Sequence, residues 1–193
     1  SYGLPVPATV DVVGGRGIVL QEDLGTRTLQ DELKDASEAR REELYREAVD
    51  EVARLQMKAA QGPQKLDCFR IAFDIEKLAW ELHYFLKHFV EGHRGCDLSV
   101  EDRATVSEAF HELSREIASW PRVLCHRDYH SRNLMPHAER LYWIDFQDAR
   151  MGPSTYDLAS LLRDAYVDVP EALQEDLKER FRQTATPDEP REV

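Results

Sequence analysis

Apolar residues recur at helical spacing in three long stretches of the chain. The first stretch lies between positions 44 and 59, and Gly62 and Pro63 end it. The second runs from position 73 to 92, and the third begins at Ser99 with a capping-box-like pattern. Each stretch predicts a helix with one face turned toward a core. The predicted buried stripe of the third helix consists of Val106, Phe110, Leu113 and Ile117.

Short β-prone runs lie between the helical stretches. The runs at residues 8–13 and 18–20 flank a glycine cluster, and this pattern favours a hairpin over a phosphate-binding loop. The runs at residues 134–135 and 141–144 flank the turn-like residues 136–140, which predicts a second hairpin. Two short helices are predicted over residues 28–36 and 156–165. The predicted fold class is therefore α+β and mainly helical.

The polar residues with the most distinctive spacing lie around the second hairpin. Residues 126–133 read His-Arg-Asp-Tyr-His-Ser-Arg-Asn, and residues 145–147 read Asp-Phe-Gln. A kinase active site presents its catalytic base and two metal ligands in this order. Asp128 is the predicted base that accepts a hydroxyl proton, and Asn133 and Asp145 are the predicted oxygen ligands of Mg²⁺. The alternative is a chance tripeptide with a locally bonded Asp145, but three elements in order favour the kinase.

These elements and the run Gly-Pro-x-x-Tyr-Asp-Leu-x-x-Leu-Leu-Arg-Asp at residues 152–164 resemble the aminoglycoside phosphotransferase and choline kinase family. The resemblance implies a protein-kinase-like fold and transfer of the γ-phosphoryl group of ATP to a hydroxyl of a small molecule. Arg127, where many antibiotic kinases carry glycine, and the segment Asp-Phe-Gln-Asp-Ala at 145–149 are most similar to the anomeric kinases of cell-wall amino sugars. Those enzymes phosphorylate N-acetylmuramate or N-acetylglucosamine at the C1 hydroxyl during peptidoglycan recycling.

The resemblance also implies roles for residues outside the metal site. Gln21, Glu22 and Leu24 would form the hinge, whose backbone N–H and C=O groups hydrogen-bond adenine. The alternative for this segment is an ordinary strand-to-helix turn. His126 would support the metal-binding segment by packing beneath it, with Arg127 beside it.

Asp157 is unusual because it lies among apolar residues in the first turn of a predicted helix. By resemblance it would accept hydrogen bonds from backbone N–H groups of the catalytic loop. The alternative is a simple carboxylate at a helix start, which the helix dipole favours.

Three acidic residues near the start of the second long helix are candidates for contacts with the acceptor. Asp74, Glu76 and Glu81 could accept hydrogen bonds from sugar hydroxyls, because in this family the matching helix borders the substrate pocket. The helix dipole also favours acids in a first turn, and this simpler explanation is preferred for Asp74 and Glu76. Three histidines of the same helix are spaced five apart and so diverge, which favours surface or packing roles over metal binding: His83, His88 and His93.

The resemblance divides the chain into three parts. Residues 1–25 would be a partial N-lobe with a hairpin and hinge, residues 26–183 a kinase-like C-lobe, and residues 184–193 a disordered tail. We find no glycine-rich phosphate loop, no strand with a phosphate-binding lysine and no partner glutamate for it. The chain is therefore expected to be a fragment, with apolar surface exposed on the hairpin and on the terminal helix. A catalytically silent binding module and a metal-dependent hydrolase stay open as alternatives.

The charge and the cysteine content indicate which binding partners and which cellular location to expect for the chain. The chain has 37 acidic and 25 basic side chains and a net charge of −12, which disfavours binding to nucleic acid or to anionic membranes. This charge would suit a cationic acceptor such as an aminoglycoside, although many enzymes are equally acidic. The three cysteines are widely spaced and suggest neither a disulfide framework nor a zinc site, and a reducing cytoplasm is the expected location.

Overall fold

The computed structural model describes residues 3–185, and six α-helices are the main elements of this part of the chain. They are α1 (Leu29–Asp35), α2 (Glu38–Gln61), α3 (Ile75–Phe85), α4 (Val100–Ser119), α5 (Tyr156–Leu162) and α6 (Glu171–Ala185). The α3 helix continues as a π-helical segment, Leu86–His93, so the predicted helix over 73–92 is present in two parts. No helix among residues 3–185 is long and apolar enough to cross a membrane.

Within residues 3–185, six strands pair into three antiparallel ribbons of two strands each. The ribbons are β1 (Thr9–Val13) with β2 (Ile18–Gln21), β3 (Arg122–Cys125) with β6 (Arg150–Pro153), and β4 (Leu134–His137) with β5 (Arg140–Trp143). Both predicted hairpins are therefore confirmed. The second has a tighter turn than predicted, because Ala138 and Glu139 both take positive φ angles, 48° and 63°. Two such residues make the connection whose twist fits a hairpin.

The core forms around α2. Its apolar face packs against α6, β3, β5 and α5. The side chains of these elements that are buried to at least 99% include Val49, Val52, Leu141, Leu161 and Leu177. Burial of this apolar surface is the main free-energy gain of folding.

The terminal helix differs from the expectation that its apolar face would be exposed. Leu177 and Phe181 of α6 are buried against the core, and Arg180 of α6 donates two hydrogen bonds to Asp50 of α2, at 2.7 and 2.6 Å. The expectation was wrong for α6 because α2 covers it. It was right for the β1–β2 hairpin, in which all nine residues of the two strands are exposed.

One predicted helix boundary, one buried position and the start of the predicted tail also need correction. α5 ends at Leu162 and not at 165. The Asp164 carboxylate accepts hydrogen bonds from the N–H groups of Ser131 and Tyr166, and these bonds hold residue 164 outside the helix. Leu113 is 43% exposed, since α4 packs against α3 on another face. Residues 184 and 185, placed in the tail, belong to α6; the rest of the predicted tail lies outside the described residues.

Candidate active site

The loop at residues 126–133, which is predicted to be the catalytic loop, connects β3 to β4, and a buried carboxylate binds its first two residues. The N–H of His126 donates to Asp157 Oδ2 at 2.7 Å, and the N–H of Arg127 donates to Asp157 Oδ1 at 2.9 Å. Both oxygens are thereby used, which is the contact that the resemblance implied for Asp157. Since Asp157 starts α5, this pair of bonds fixes the loop against the helix.

Burial changes the titration of Asp157. The residue is fully buried, and burial raises the pKa of its carboxyl from 3.8 to about 7, although the two N–H donors act in the opposite direction. A carboxylate in this position is costly to keep charged, so its value to the protein lies in the loop geometry that it imposes.

His126 connects the loop to the segment that carries Asp145. Its ring is buried, and burial lowers the pKa of His126 to about 4, so the ring is neutral near pH 7. The ring Nε2 lies 3.1 Å from the carbonyl oxygen of Ile144 and, in the neutral ring, donates a hydrogen bond to it. The rings of Tyr129 and Trp143 pack edge-on against it. A neutral, packed histidine supports the neighbouring segment and is not a proton acceptor for a substrate.

Asn133 and Asp145 come together because β4 and β5 pair between them. The N–H of Ile144 donates to the carbonyl oxygen of Asn133 at 3.0 Å. Because Asp145 is the next residue after Ile144, this bond brings the backbone of Asp145 close to that of Asn133. The Asn133 Nδ2 donates to the carbonyl oxygen of Asp128 at 2.9 Å and thereby staples the loop. Since the Nδ2 is bonded in this way, the amide oxygen is the atom of Asn133 that could bind a cation. Asp145 is exposed in a left-handed conformation (φ 65°), and Gln147 donates to its Oδ1.

This donor set fits a magnesium ion. One amide oxygen and one carboxylate are typical protein ligands for Mg²⁺, which takes its remaining oxygens from phosphates and water. No group of three or more His, Cys, Asp or Glu side chains that could hold a metal ion occurs within residues 3–185. The larger ligand set that a metal-dependent hydrolase would need is therefore not found in that part of the chain.

Other contacts fix the loop from below. The hydroxyl of Tyr129 donates to the carbonyl oxygen of Ala48 in α2 at 2.8 Å, and the N–H of Ser131 donates to Asp164 at 2.8 Å. Asp128 itself is partly exposed at the surface of the loop. The loop is thus held by α2, by α5 and by the residues just after α5, while its candidate base faces outward.

The predicted hinge residues lie at the end of β2 and directly after it. Gln21 is the last residue of that strand, and Leu24 is buried. The N–H of Glu22 donates to the carbonyl oxygen of Ala8 at 2.8 Å, and the Glu22 carboxylate accepts from the Ala8 N–H. The Glu22 N–H is therefore used within the hairpin and is not available to adenine in this conformation.

The three candidate acceptor acids lie in two different places. Asp74 caps α3 by accepting a hydrogen bond from the N–H of Lys77 at 2.8 Å, and with Glu76 it lines a shallow depression shared with α4. Glu81 instead accepts a hydrogen bond from the Tyr156 hydroxyl at 3.4 Å. Burial raises the pKa of Tyr156, and the charges of Glu81 and Asp128 raise it further. Of the three acids, Glu81 is thus the one that bonds to Tyr156, whose pKa the charge of Asp128 also raises.

Two residues of the site were not predicted from the sequence. Asp148, three residues after the candidate metal ligand Asp145, accepts a hydrogen bond from the Arg127 guanidinium at 2.6 Å. Asp164, the last residue of the Gly-Pro run at 152–164, accepts a hydrogen bond from the N–H of Ser131. Both lie inside the segments that carried the resemblance, so the resemblance was the available signal, but spacing alone does not reveal a partner.

The family comparison agrees with this geometry. A family model described as "Phosphotransferase enzyme family" matches residues 1–193. The chain belongs to this phosphotransferase family. The N-acetylmuramate/N-acetylglucosamine kinase of Neisseria meningitidis serogroup B is 33% identical to this phosphotransferase chain over 183 residues, which cover 93% of the chain. The chain spans 52% of that relative's length, about half.

Solved structures show the same fold for the phosphotransferase chain. The streptomycin–ATP–APH(2")-IIa ternary complex matches with a TM-score of 0.64 at 16% identity, covering 96% of this chain and 62% of the other. A choline/ethanolamine kinase family protein from Mesorhizobium loti matches with a TM-score of 0.58 at 18% identity, covering 98% and 58%. The predicted family and the predicted kinase-like, mainly helical α+β fold are confirmed.

Asp157→Asn is expected to destabilise the phosphotransferase chain, and the loss should shrink as the pH rises. The folded pKa of about 7 lies above the ordinary 3.8. The stability that this group contributes is therefore full below the ordinary pKa and is lost as the pH rises through about 7. The shift limits the change to about 4 kcal/mol.

Urea unfolding of both chains at about pH 5.5 and about pH 8 measures this difference. Asp97→Asn, the same chemical change at an exposed position, serves as the control and should show no such trend. A stability difference between the Asp157→Asn and unsubstituted chains that stays constant or grows with pH would contradict the assignment.

Proposed function

We propose that the protein containing this chain transfers the γ-phosphoryl group of ATP to a hydroxyl of a small molecule, namely the C1 hydroxyl of N-acetylmuramate or N-acetylglucosamine. The observation that carries the proposal is the Asp128–Asn133–Asp145 arrangement in a chain 33% identical to a kinase of these sugars. ATP use is supported by the fold shared with a phosphotransferase solved in complex with ATP. We further propose that the reaction takes place in the cytoplasm, where ATP is available.

In the proposed reaction, Asp128 accepts or orients the proton of the acceptor hydroxyl. Its position on the outer surface of a loop held by Asp157 leaves the carboxylate open to an incoming hydroxyl. A base held in place by buried contacts keeps its geometry during the reaction, and positioned bases contribute about 10²–10⁴-fold.

Asn133 and Asp145 would hold Mg²⁺ beside the phosphates of the nucleotide. When bound, the ion supplies charge neutralisation for the transferring group. The amide oxygen of Asn133 is oriented for this task because its Nδ2 is committed to the Asp128 carbonyl oxygen. Of the hinge residues, the backbone of Gln21 and Leu24 would contact adenine, whereas the Glu22 N–H first has to leave Ala8.

The acceptor would lie between the catalytic loop and α3. Glu81 and Tyr156 already share a hydrogen bond near Asp128, and both can bond to sugar hydroxyls. The ring of Phe73 stacks on Tyr156 with centroids 4.2 Å apart, which holds the tyrosine in place. Asp74 and Glu76 are not part of this proposal, since they face α4.

An acceptor panel with the gene product at its natural length tests the proposal. We expect the highest kcat/KM with ATP for N-acetylmuramate and N-acetylglucosamine, compared with aminoglycosides and choline. A clear preference for an aminoglycoside or choline would support the proposed phosphotransfer but contradict the proposed sugar acceptor. Nucleotide binding without turnover of any acceptor would favour the silent binding module.

A further inference from the structure

Arg127 takes a backbone conformation that a non-glycine residue rarely adopts. Its φ is 87°, whereas the neighbouring loop residues Asp128, Tyr129 and His130 have no positive φ. The side chain of an L-residue is strained there, and such strain persists only where the surroundings impose it. The surroundings here are the N–H bond to Asp157 and the contacts of the guanidinium.

The guanidinium of Arg127 bridges the two halves of the candidate site. Its NH1 nitrogen lies 2.6 Å from Asp148 Oδ2 and 3.8 Å from Asp128 Oδ2. Asp148 closes the short 3₁₀ turn Phe146–Asp148 that directly follows Asp145. One side chain therefore lies within ion-pair distance of the candidate base and is hydrogen-bonded to the segment that follows the candidate metal ligand.

Stability does not explain this arrangement. The Asp148 side chain is about half exposed, and exposed ion pairs contribute little to folding. The backbone strain at Arg127 acts against folding. A strained residue whose ion pair adds little stability points to a role in positioning.

We propose that the Arg127–Asp148 pair is a clamp that positions the carboxylate of Asp128 relative to Asp145. In the proposed reaction the pair contacts no phosphate and no acceptor atom, so Arg127 and Asp148 are positioning residues. The clamp rests on the proposed phosphotransfer, and it adds a prediction about stability that is independent of activity.

The stability arm compares two substitutions by glycine at positive φ. Arg127→Gly keeps the N–H that bonds to Asp157 and relieves the strain, so the Tm of the chain is expected to rise or to stay within about 2 °C of the original. Glu139→Gly, at φ 63° in the β4–β5 turn, relieves strain away from the site and should behave alike. A Tm that falls by more than about 4 °C for Arg127→Gly alone would overturn the clamp in favour of a structural role.

The kinetic arm uses the gene product at its natural length with ATP and the preferred acceptor. We expect Arg127→Gly to lower kcat by about 10- to 100-fold while the KM for ATP changes less than about twofold, because small displacements of a catalytic group have effects of this size. Asp148→Asn should give a similar loss, and the double variant should be no worse than either single one. Glu139→Gly should retain full activity.

Three outcomes overturn the clamp: a kcat of Arg127→Gly within about twofold of the original, a loss confined to KM, or additive losses in the double variant. Failure of the proposed function is distinguishable from these, since the unsubstituted protein would then show no turnover. In that case the stability arm still decides whether Arg127 is strained, because it requires no substrate.

Discussion

Asp128→Asn is expected to abolish measurable turnover in the gene product at its natural length, with a loss of at least about 10²–10⁴-fold. The proposed base acts on the acceptor hydroxyl and not on ATP, so the loss should appear in kcat while nucleotide binding stays nearly unchanged. An asparagine keeps the size of the side chain but cannot accept the proton. Steady-state kinetics together with calorimetric titration of ATP separates the two effects.

Two further substitutions give this experiment its controls. Asp145→Asn removes the charge of a proposed metal ligand and should weaken binding of magnesium–ATP itself. Asp97→Asn makes the same chemical change at an exposed position before α4 and should leave both quantities unchanged. Retention of most of the turnover by Asp128→Asn would remove Asp128 from the role of base.

The 193-residue chain by itself is expected to be inactive, or nearly so, as a kinase. Positioning and charge stabilisation account for almost all the catalysis in phosphoryl transfer. None of the strands β1 to β6 in the described part of the chain carries a lysine, and the glycine-containing turn at 14–17 only connects β1 to β2. The expected loss relative to an intact kinase is several orders of magnitude.

A steady-state assay of the purified chain with ATP and either N-acetylated sugar measures this loss. Turnover in the ordinary kinase range of about 1–100 per second would contradict it. Another residue would then have to replace the phosphate-binding lysine.

The same chain is expected to associate with itself through the β1–β2 hairpin. Val10, Val12, Val19 and Leu20 are all more than half exposed, and an apolar, two-sided ribbon favours pairing with another copy. Sedimentation at several concentrations measures the association. Replacing Val12 and Val19, which face each other across the ribbon, by threonine should reduce it without disfavouring the strands. Equal association of both chains would place the contact elsewhere.

Much of the fold follows from the sequence because its signals are local. Apolar spacing predicted the long helices, and turn-forming residues predicted both hairpins. The contact of Asp157 with the loop was expected from the family resemblance, whereas its position among apolar residues only marked it as unusual. Boundaries were predicted less well: α5 is shorter because Asp164 is drawn to Ser131, a contact between residues 33 positions apart.

The less predictable features depend on which surfaces meet in three dimensions. Leu113 follows the helical stripe but lies on a side of α4 that stays exposed. Asp74, Glu76 and Glu81 occupy one helix, yet only Glu81 turns toward Tyr156. Arg127 and Asp148 are 21 residues apart, and nothing in their spacing indicates an ion pair.

The identity of the phosphorylated product tests the central claim most directly. Phosphorus NMR of the gene product at its natural length, incubated with magnesium–ATP and N-acetylglucosamine, should show the γ-phosphoryl signal of ATP converted to a sugar phosphate. The new phosphorus signal should couple to the anomeric proton, which places the phosphoryl group on the C1 oxygen. Release of inorganic phosphate alone would show hydrolysis, and a phosphate on another oxygen would show a different acceptor position. Either result would contradict the proposed transfer to the C1 hydroxyl.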